Sequence, residues 1–510
     1  MDTGFETDFE TGMHHIPRIE LAAGASGSGK TLITCGILNA LKRRGFRLAS
    51  FKCGPDYIDP MFHRTVLGTV SSNLDTFFAD EETVRYLLAR HSAGADLALI
   101  EGVMGYYDGL GGTSDQASAW HVAAVTDTPV VLVVNCRGMS LSALAYVKGF
   151  LEYRKDSRIR AVILNRVSPM IYPELAKRIR DELGLTVLGY VPEIKEFTLE
   201  SRHLGLVMPE EIGQIREKLD LLADRLEETL DLDALAALAG EADDFAAPQP
   251  EKRKRALERA QFLWEAAAET GPVKTMTGRS SCGRPVIAVS KDEAFCFMYE
   301  DNLSLLEDMG ARIEFFSPLH DRQLPPCDGL ILCGGYPELH VRALSENKAM
   351  CGSIRTAIVR DHLPALAECG GFMYLQAEME DMDGRSWPVA GVLAGKAFRT
   401  GRLGRFGYIE LNRNREKKRS DQTEESTSAG QAGGILEGIG PVRGHEFHYF
   451  DTTDNGAAFL ASKPLRRREW TCMHMTQNLA AGFPHLYYHS NPEVALRFLE
   501  ACFRYRTDRK

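Results

Sequence analysis

The sequence has no apolar run near the roughly 20 residues that a membrane-spanning helix needs. Its most hydrophobic stretch, 129–134, has only the length of a buried strand. It has no excess of basic charge: 60 Lys and Arg stand against 70 Asp and Glu. Affinity for nucleic acid or an anionic membrane draws on cationic patches, so neither partner is expected. The opening MDTGFETDFETG is acidic and lacks the basic and apolar segments of a secretory signal. The 11 cysteines are scattered, odd in number and show no repeated CxxC spacing. Free thiols in a reducing, cytoplasmic setting are therefore expected. There is no solenoid-like repeat. What remains is a composition ordinary for a globular protein, and 510 residues are enough for two or three separate cores.

The order of segments narrows this. Residues 1–12 contain the near-repeat TGFETDFETG and are expected to be a flexible tail. From 13 to 235, near-continuous apolar strands alternate with amphipathic stretches. Strands are expected at 16–23, 48–52, 97–101, 130–135, 161–165 and 187–191. Such alternation implies a parallel sheet covered on both faces, hence an α/β fold. Residues 236–284 become charged, carry Pro248 and Pro250, and are expected to form a partly helical linker. A second α/β pattern fills 285–505, with strands expected at 286–290, 313–316, 329–333, 363–368 and 388–392. The polar insert 413–434 has too little apolar surface to offset its ordering entropy, so a disordered loop is expected.

The first half opens with a phosphate-binding pattern. Gly24, Ala25, Ser26, Gly27, Ser28, Gly29, Lys30 and Thr31 fit G-x-x-x-x-G-K-[ST] between a strand and a helix. Backbone N–H groups of such a loop, with the helix N-terminus, cradle phosphate oxygens. Lys30 supplies charge to the terminal phosphates, and the Thr31 hydroxyl can ligate Mg²⁺. Two later loops follow strand ends. One carries Asp56, Tyr57 and Asp59 in FKCGPDYIDP, the other Glu101 and Asp108 in EGVMGYYDG. Ligands of an open parallel sheet lie beyond the strands' carboxyl ends, so both loops should face the phosphate loop. Glu101 is a candidate Mg²⁺ ligand or water-positioning group. Asp56, Asp59 and Asp108 serve equally well as turn and helix caps beside Gly and Pro.

The second half carries a cysteine elbow. AECGGFMYL places Cys369 between an apolar strand and a helix. A nucleophile held on such a turn is exposed above the sheet, where helix dipole and backbone amides are expected to lower the thiol pKa and form an oxyanion hole. Gly370, and Gly334 and Gly335 of the loop CGGYPELH, are candidate donors. A base is required, and His445, His448, His474, His485 and His489 all lie downstream. Position alone does not choose among them. The other ten cysteines read as packing.

In order along 16–503, the segments SGSGKT, FKCGPDYIDPMFH, NLDTFF, EGVMGYYDG, LNRV, SRHLGLV, AFCFMYEDNL, FFSPL, CGGYPELH, AECGGFMYL, RGHEFHY and HLYYHSNP resemble the cobyrinate a,c-diamide synthase family. These are glutamine-hydrolysing, ATP-dependent amidoligases of cobalamin biosynthesis. The resemblance implies a dethiobiotin-synthetase-like, doubly wound P-loop domain followed by a class I glutamine amidotransferase α/β domain. It places Cys369 at the nucleophile and His485 at the base, and puts Asn165 where related domains contact adenine. Asp56, Tyr57, Asp59, Glu101 and Asp108 fall in segments around ATP, metal and the acyl acceptor. It implies ATP, Mg²⁺, glutamine and a corrinoid or related tetrapyrrole polycarboxylate, and a homodimer suits a dethiobiotin-synthetase-like half. Two departures stand out. Gly482, Phe483 and Pro484 replace a more strand-like approach to the base. Tyr487 occupies the position where full triads carry Glu, which implies a Cys–His dyad. The same architecture serves hydrogenobyrinate and nickel-sirohydrochlorin. A partition-type ATPase shares the phosphate loop but leaves Cys369 and His485 unexplained.

Overall fold

The computed structural model describes residues 12–193, 209–269, 284–414 and 434–508. The SRHLGLV segment, residues 1–11 of the tail, 270–283 of the linker and 415–433 of the insert lie outside the described residues. The described chain forms two units, divided after Pro250.

In the first unit, seven parallel strands make one sheet. In chain order they are β1 (Arg18–Ala23), β2 (Leu48–Cys53), β3 (Val70–Leu74), β4 (Leu97–Glu101), β5 (Val130–Asn135), β6 (Ile159–Asn165) and β7 (Thr186–Val191). Their spatial order is β3-β2-β4-β1-β5-β6-β7. Order reverses around β1, so the loops following β1 and β4 lie side by side at the crevice. Ile19, Leu21 and Ala23 face one core with Leu222 and Leu226 of the helix Pro209–Thr229. Ala22, Val130, Leu132 and Val134 face the other. Both faces of the sheet are thus covered, which is why its central strands are mostly apolar.

Arg18 is one of the charged exceptions, with Glu20, Lys52 and Glu101. It is fully buried and donates to the carbonyls of Ile16, Thr126, Asp127 and Asp243. Burial lowers its pKa to about 10, short of neutralising it. The guanidinium ties residue 243 back to the sheet.

The second unit is built on six strands: β8 (Val286–Ser290), β9 (Arg312–Phe316), β10 (Gly329–Leu332), β11 (Ala365–Glu368), β12 (His474–Met475) and β13 (Leu479–Gly482). Their order is β9-β8-β10-β11-β13-β12, and all neighbours are parallel except β12 against β13. Smaller antiparallel sheets flank this one. The helix Glu251–Glu269, expected within the linker, packs on this unit. Its buried Arg253 pairs with Asp308 at 2.6 Å, and the Trp264 indole donates to the Met309 carbonyl. The strand expected at 388–392 is displaced: Ser386–Pro388 is a short strand of a small sheet. Residues 389–392 join no strand, and the N–H groups of Val389, Ala390 and Gly391 donate instead to carbonyls of the segment 374–377 after Cys369.

Candidate active site

The phosphate loop joins β1 to the helix Lys30–Arg43. Gly29 adopts φ +90°, and its absent Cβ would stand 2.4 Å from the Asn165 amide nitrogen. Any side chain there would be strained and would collide. Asn165 ends β6 and donates to the Ser28 carbonyl at 2.8 Å. In this structure it braces the loop. Gly24 is closed in by the Tyr146 hydroxyl, while Ser26 and Gly27 are exposed. Lys30 is buried and donates to the carbonyls of Met104 at 2.5 Å and Ala25 at 3.3 Å. Burial first, and then repulsion from Lys52, bring its pKa down to about 8.

The sheet brings Thr31, Glu101 and Asp59 together through a residue that motif reading left without a role. Lys52, on β2, contacts Asp59 at 2.5 Å and Glu101 at 2.6 Å. Glu101 also accepts from the Thr31 hydroxyl at 2.6 Å. Burial alone would depress the Lys52 ammonium, but the two carboxylates more than offset it and hold it charged. Burial pushes the Glu101 carboxyl up, and Lys52 only partly restrains it. Asp59 goes the other way, because Lys52's charge and hydrogen bond outweigh its burial. Two carboxylates sharing one cation cannot both ionise freely, and Asp59 is the anion. A lysine in an otherwise apolar strand was the available signal for this role.

The other carboxylates of these loops cap turns. Asp56 accepts from the N–H groups of Ile58 and Asp59, and Asp108 from that of Gly105. Gly105 approaches the Gly24 carbonyl, so the 102–108 loop borders the phosphate loop. Tyr57 is buried. No cluster of three or more His, Cys, Asp or Glu side chains placed to hold a metal occurs among the described residues. The oxygens present still suit Mg²⁺, which takes one or two carboxylates together with substrate phosphates. Glu101 Oε2 is buried without a hydrogen bond, close to the Thr31 hydroxyl.

In the second unit, β11 delivers Cys369 to a sharp turn. Cys369 has φ +47°, a conformation costing about 1–3 kcal/mol in a non-glycine residue. Its N–H donates to the Gly482 carbonyl at the end of β13, fixing the elbow. The residue is 6% exposed, and the Gly370 N–H is directed at its sulfur. A Cβ on Gly370 would stand 3.1 Å from the Gly335 nitrogen, so the two expected oxyanion loops meet.

His485 lies just beyond β13, buried against Gly334, where a Cβ would come within 2.4 Å of the imidazole. The His445 ring stacks on it at 4.9 Å, and the Tyr299 hydroxyl meets His445 Nδ1 at 3.1 Å. Burial drives His445 well below its ordinary range, so it stays neutral. His448 stacks on Phe483 instead, with its Nε2 3.1 Å from Glu446. His489 Nε2 lies 3.1 Å from the Asp301 carbonyl. His474 is on β12, with Nε2 3.0 Å from the Asp454 carbonyl. His485 follows β13, whose end pairs with the end of the nucleophile strand, Glu368 facing Gly482, and His445 is its direct cross-strand partner.

The expectation of a lowered thiol pKa does not hold. Burial pushes the Cys369 thiol far up, and Glu338, Glu446 and Glu368 push it further. The helix that follows, Gly370–Tyr374, has only five residues, too short for its dipole to counter three carboxylates. Glu338 itself is raised to about 7 by burial. Glu368, the residue before the nucleophile, lies 3.7 Å from His485 Nδ1 through its Oε2. Tyr487 turns elsewhere and donates to Asp301 at 2.9 Å.

A phosphate loop on a parallel sheet, joined in one chain to a cysteine elbow with a buried histidine after the adjoining strand, suits a glutamine-dependent, amide-forming ligase. Comparison with known proteins agrees. Residues 19–207 match the CobQ/CobB/MinD/ParA nucleotide binding domain, and 286–492 the CobB/CobQ-like glutamine amidotransferase domain. The chain is 35% identical over 490 residues to the cobyrinate a,c-diamide synthase of Listeria innocua, covering 95% of this chain and 99% of that protein. It is 36% identical over 489 residues to the enzyme of the same name from Salmonella typhimurium, covering 95% and 98%. For that of Priestia megaterium the identity is 33% over 498 residues, covering 97% and 98%. The chain belongs to the cobyrinate a,c-diamide synthase family. Among solved structures, MinD of Aquifex aeolicus is similar at 20% identity, covering 41% of this chain and 97% of that one with a TM-score of 0.27. No helix among the described residues is long and apolar enough to cross a membrane.

Proposed function

We propose that this protein amidates the a and c acetate carboxylates of cobyrinate, using ATP and the amide nitrogen of glutamine. One observation carries the reading. A Cys369–His485 centre and a Lys30–Thr31–Glu101 centre occur in one chain that is a third identical, over nearly its whole length, to enzymes of that name. Cys369 sulfur attacks the glutamine side-chain carbonyl carbon. His485 takes the thiol proton as the bond forms and delivers a proton to the departing nitrogen, which leaves as ammonia. Because the resting thiol is neutral, this transfer accompanies the attack. N–H groups around Gly334, Gly335 and Gly370 receive the oxyanion, each worth about 3–4 kcal/mol where such donors have been removed. Water then cleaves the thioester to glutamate.

In the other half, a substrate carboxylate oxygen attacks the γ-phosphorus of ATP, and ADP leaves. Ammonia attacks the resulting acyl phosphate, and phosphate leaves. Lys30 and the phosphate-loop N–H groups hold the phosphates, and Asn165 keeps the loop in shape. Thr31 and Glu101 would hold Mg²⁺, which supplies charge neutralisation to the phosphates. Lys52 and Asp59 keep Glu101 in place. Asp56, Tyr57 and Asp108 shape the acceptor side of this centre through the turns they cap or fill.

Mass spectrometry after incubation with glutamine, ATP, Mg²⁺ and candidate macrocycles tests the reading. Two amides gained on cobyrinate support it. Two amides gained only on hydrogenobyrinate or nickel-sirohydrochlorin would keep the chemistry and move the substrate. No gain with any macrocycle would contradict it.

A further inference from the structure

The position that supplies an orienting carboxylate in full triads is Tyr487 here, and the structure gives that side chain other work. Its hydroxyl donates to Asp301 at 2.9 Å, and its ring meets Tyr299 edge-on at 5.3 Å. Asn302 reinforces the same anchor: it donates to the Leu486 carbonyl and accepts from the Tyr488 N–H. Residues 486–488 are therefore pinned to the helix Glu300–Asp308.

A carboxylate reaches His485 from the opposite direction. Glu368 ends β11 directly before the nucleophile, in register with Gly482 of β13. One oxygen accepts from the Leu486 N–H at 3.3 Å, and the other lies 3.7 Å from His485 Nδ1. Both side chains are almost fully buried, 4% and 2% exposed. Burying a carboxylate costs several kcal/mol unless it is partnered, so this one is held where its partners are, beside the base. The separation from Nδ1 is that of an ion pair rather than a hydrogen bond. Catalytic hydrogen bonds are commonly long before substrate binds and tighten in the complex. Of the groups against the imidazole, His445 stacks on its face and is neutral, and Gly334 offers only backbone.

The geometry points to Glu368 as the positioning residue of the glutaminase centre, orienting His485 through Nδ1 in place of the carboxylate that Tyr487 lacks. The inference rests on the proposed glutaminase role of Cys369 and His485, and extends it. With its proton on Nδ1 facing Glu368, His485 presents the unprotonated Nε2 as base. As imidazolium, while ammonia leaves, it is stabilised by the same carboxylate. Nucleophile and orienter are thus adjacent residues, Glu368 at the end of β11 and Cys369 at the elbow that follows it.

The test is glutamate release by the full chain with glutamine and ATP, in wild type, Glu368→Gln, His485→Ala and the double variant. Glu368→Gln keeps size and the Leu486 contact but removes the charge. Expected is a fall in kcat of about 10–100-fold with KM within about twofold, and no further fall when Glu368→Gln is added to His485→Ala, as for residues that act as a unit. Thermal unfolding of each variant serves as the fold control. If Glu368→Gln keeps wild-type kcat, or if its effect multiplies fully with that of His485→Ala, the inference is overturned and Glu368 is only a packing carboxylate. If Glu368→Gln unfolds, Glu368→Asp takes its place in the same cycle, with the same two outcomes deciding. A wild-type chain that releases no glutamate would overturn the glutaminase reading itself.

Discussion

The two centres handle charge in opposite ways. In the first unit, charge is paired within the protein: Lys52 stands between Asp59 and Glu101, with Thr31 hydrogen-bonded to Glu101. Lys30 lies on backbone carbonyls. In the second unit, the reactive thiol is neutral, buried and surrounded by carboxylates that oppose its ionisation. The difference follows from what each centre meets. A polyphosphate and a carboxylate bring their charges with them, so the protein must hold compensating charge ready. Glutamine's side chain is neutral, so in the proposed reaction the second centre creates its anion only during attack. Electrostatics prepare the first centre, and backbone strain at Cys369 prepares the second.

This contrast can be broken at several points. Lys30→Ala should lower amidation about a thousandfold with either glutamine or ammonia as nitrogen source, since it removes charge the phosphates need. Full ammonia-dependent turnover in that variant would separate the phosphate loop from the chemistry. Gly334→Ala should lower glutamate release about a hundredfold, because the new Cβ would displace the His485 ring, and small misplacements of a catalytic group cost that much. Nucleotide binding, followed by equilibrium dialysis, should be untouched.

Lys52→Met should destabilise the first unit by about 3–5 kcal/mol, as removing one partner of a buried ion pair does. Adding Asp59→Asn and Glu101→Gln should restore part of the lost Tm. An unchanged Tm in the single variant would show that the cluster is not charged. The smallest effect concerns the resting thiol. Its raised pKa means that thiolate grows with pH through the alkaline range, so alkylation of Cys369 by iodoacetamide, read by peptide mass spectrometry, should climb about tenfold per pH unit up to pH 9. A plateau near neutrality would reveal a thiolate–imidazolium pair and erase the contrast.

Strands buried on both faces were legible in the sequence: 130–135 and 286–290 were expected at the bounds found, because continuous Val, Ile and Leu leave little choice. The edge strand Val70–Leu74, reading VSSNL, was not, since it is polar and gains its ladder from β2 alone. Leu479–Gly482 was hidden by its small residues. It lies between β11 and β12, where the close approach of Met473 leaves no room for a side chain on Gly482. The loops of both centres were legible because glycine and proline mark them. Lys52 and Glu368 were not, because their roles depend on which side chain a neighbouring strand places opposite. The thiol was misjudged for a related reason: motif reading sees the helix after Cys369, while burial and three carboxylates come from residues distant in sequence or on the strand behind it. The ten described cysteines are all free thiols.

The central claim is that one half of the chain supplies nitrogen and the other spends ATP to accept it. Cys369→Ala tests it most directly, with amide product measured by mass spectrometry against glutamine and against a high concentration of ammonia. No product is expected with glutamine, and near wild-type product with ammonia. A variant that stays folded and binds ATP but fails with both nitrogen sources, or one that still uses glutamine, would contradict it.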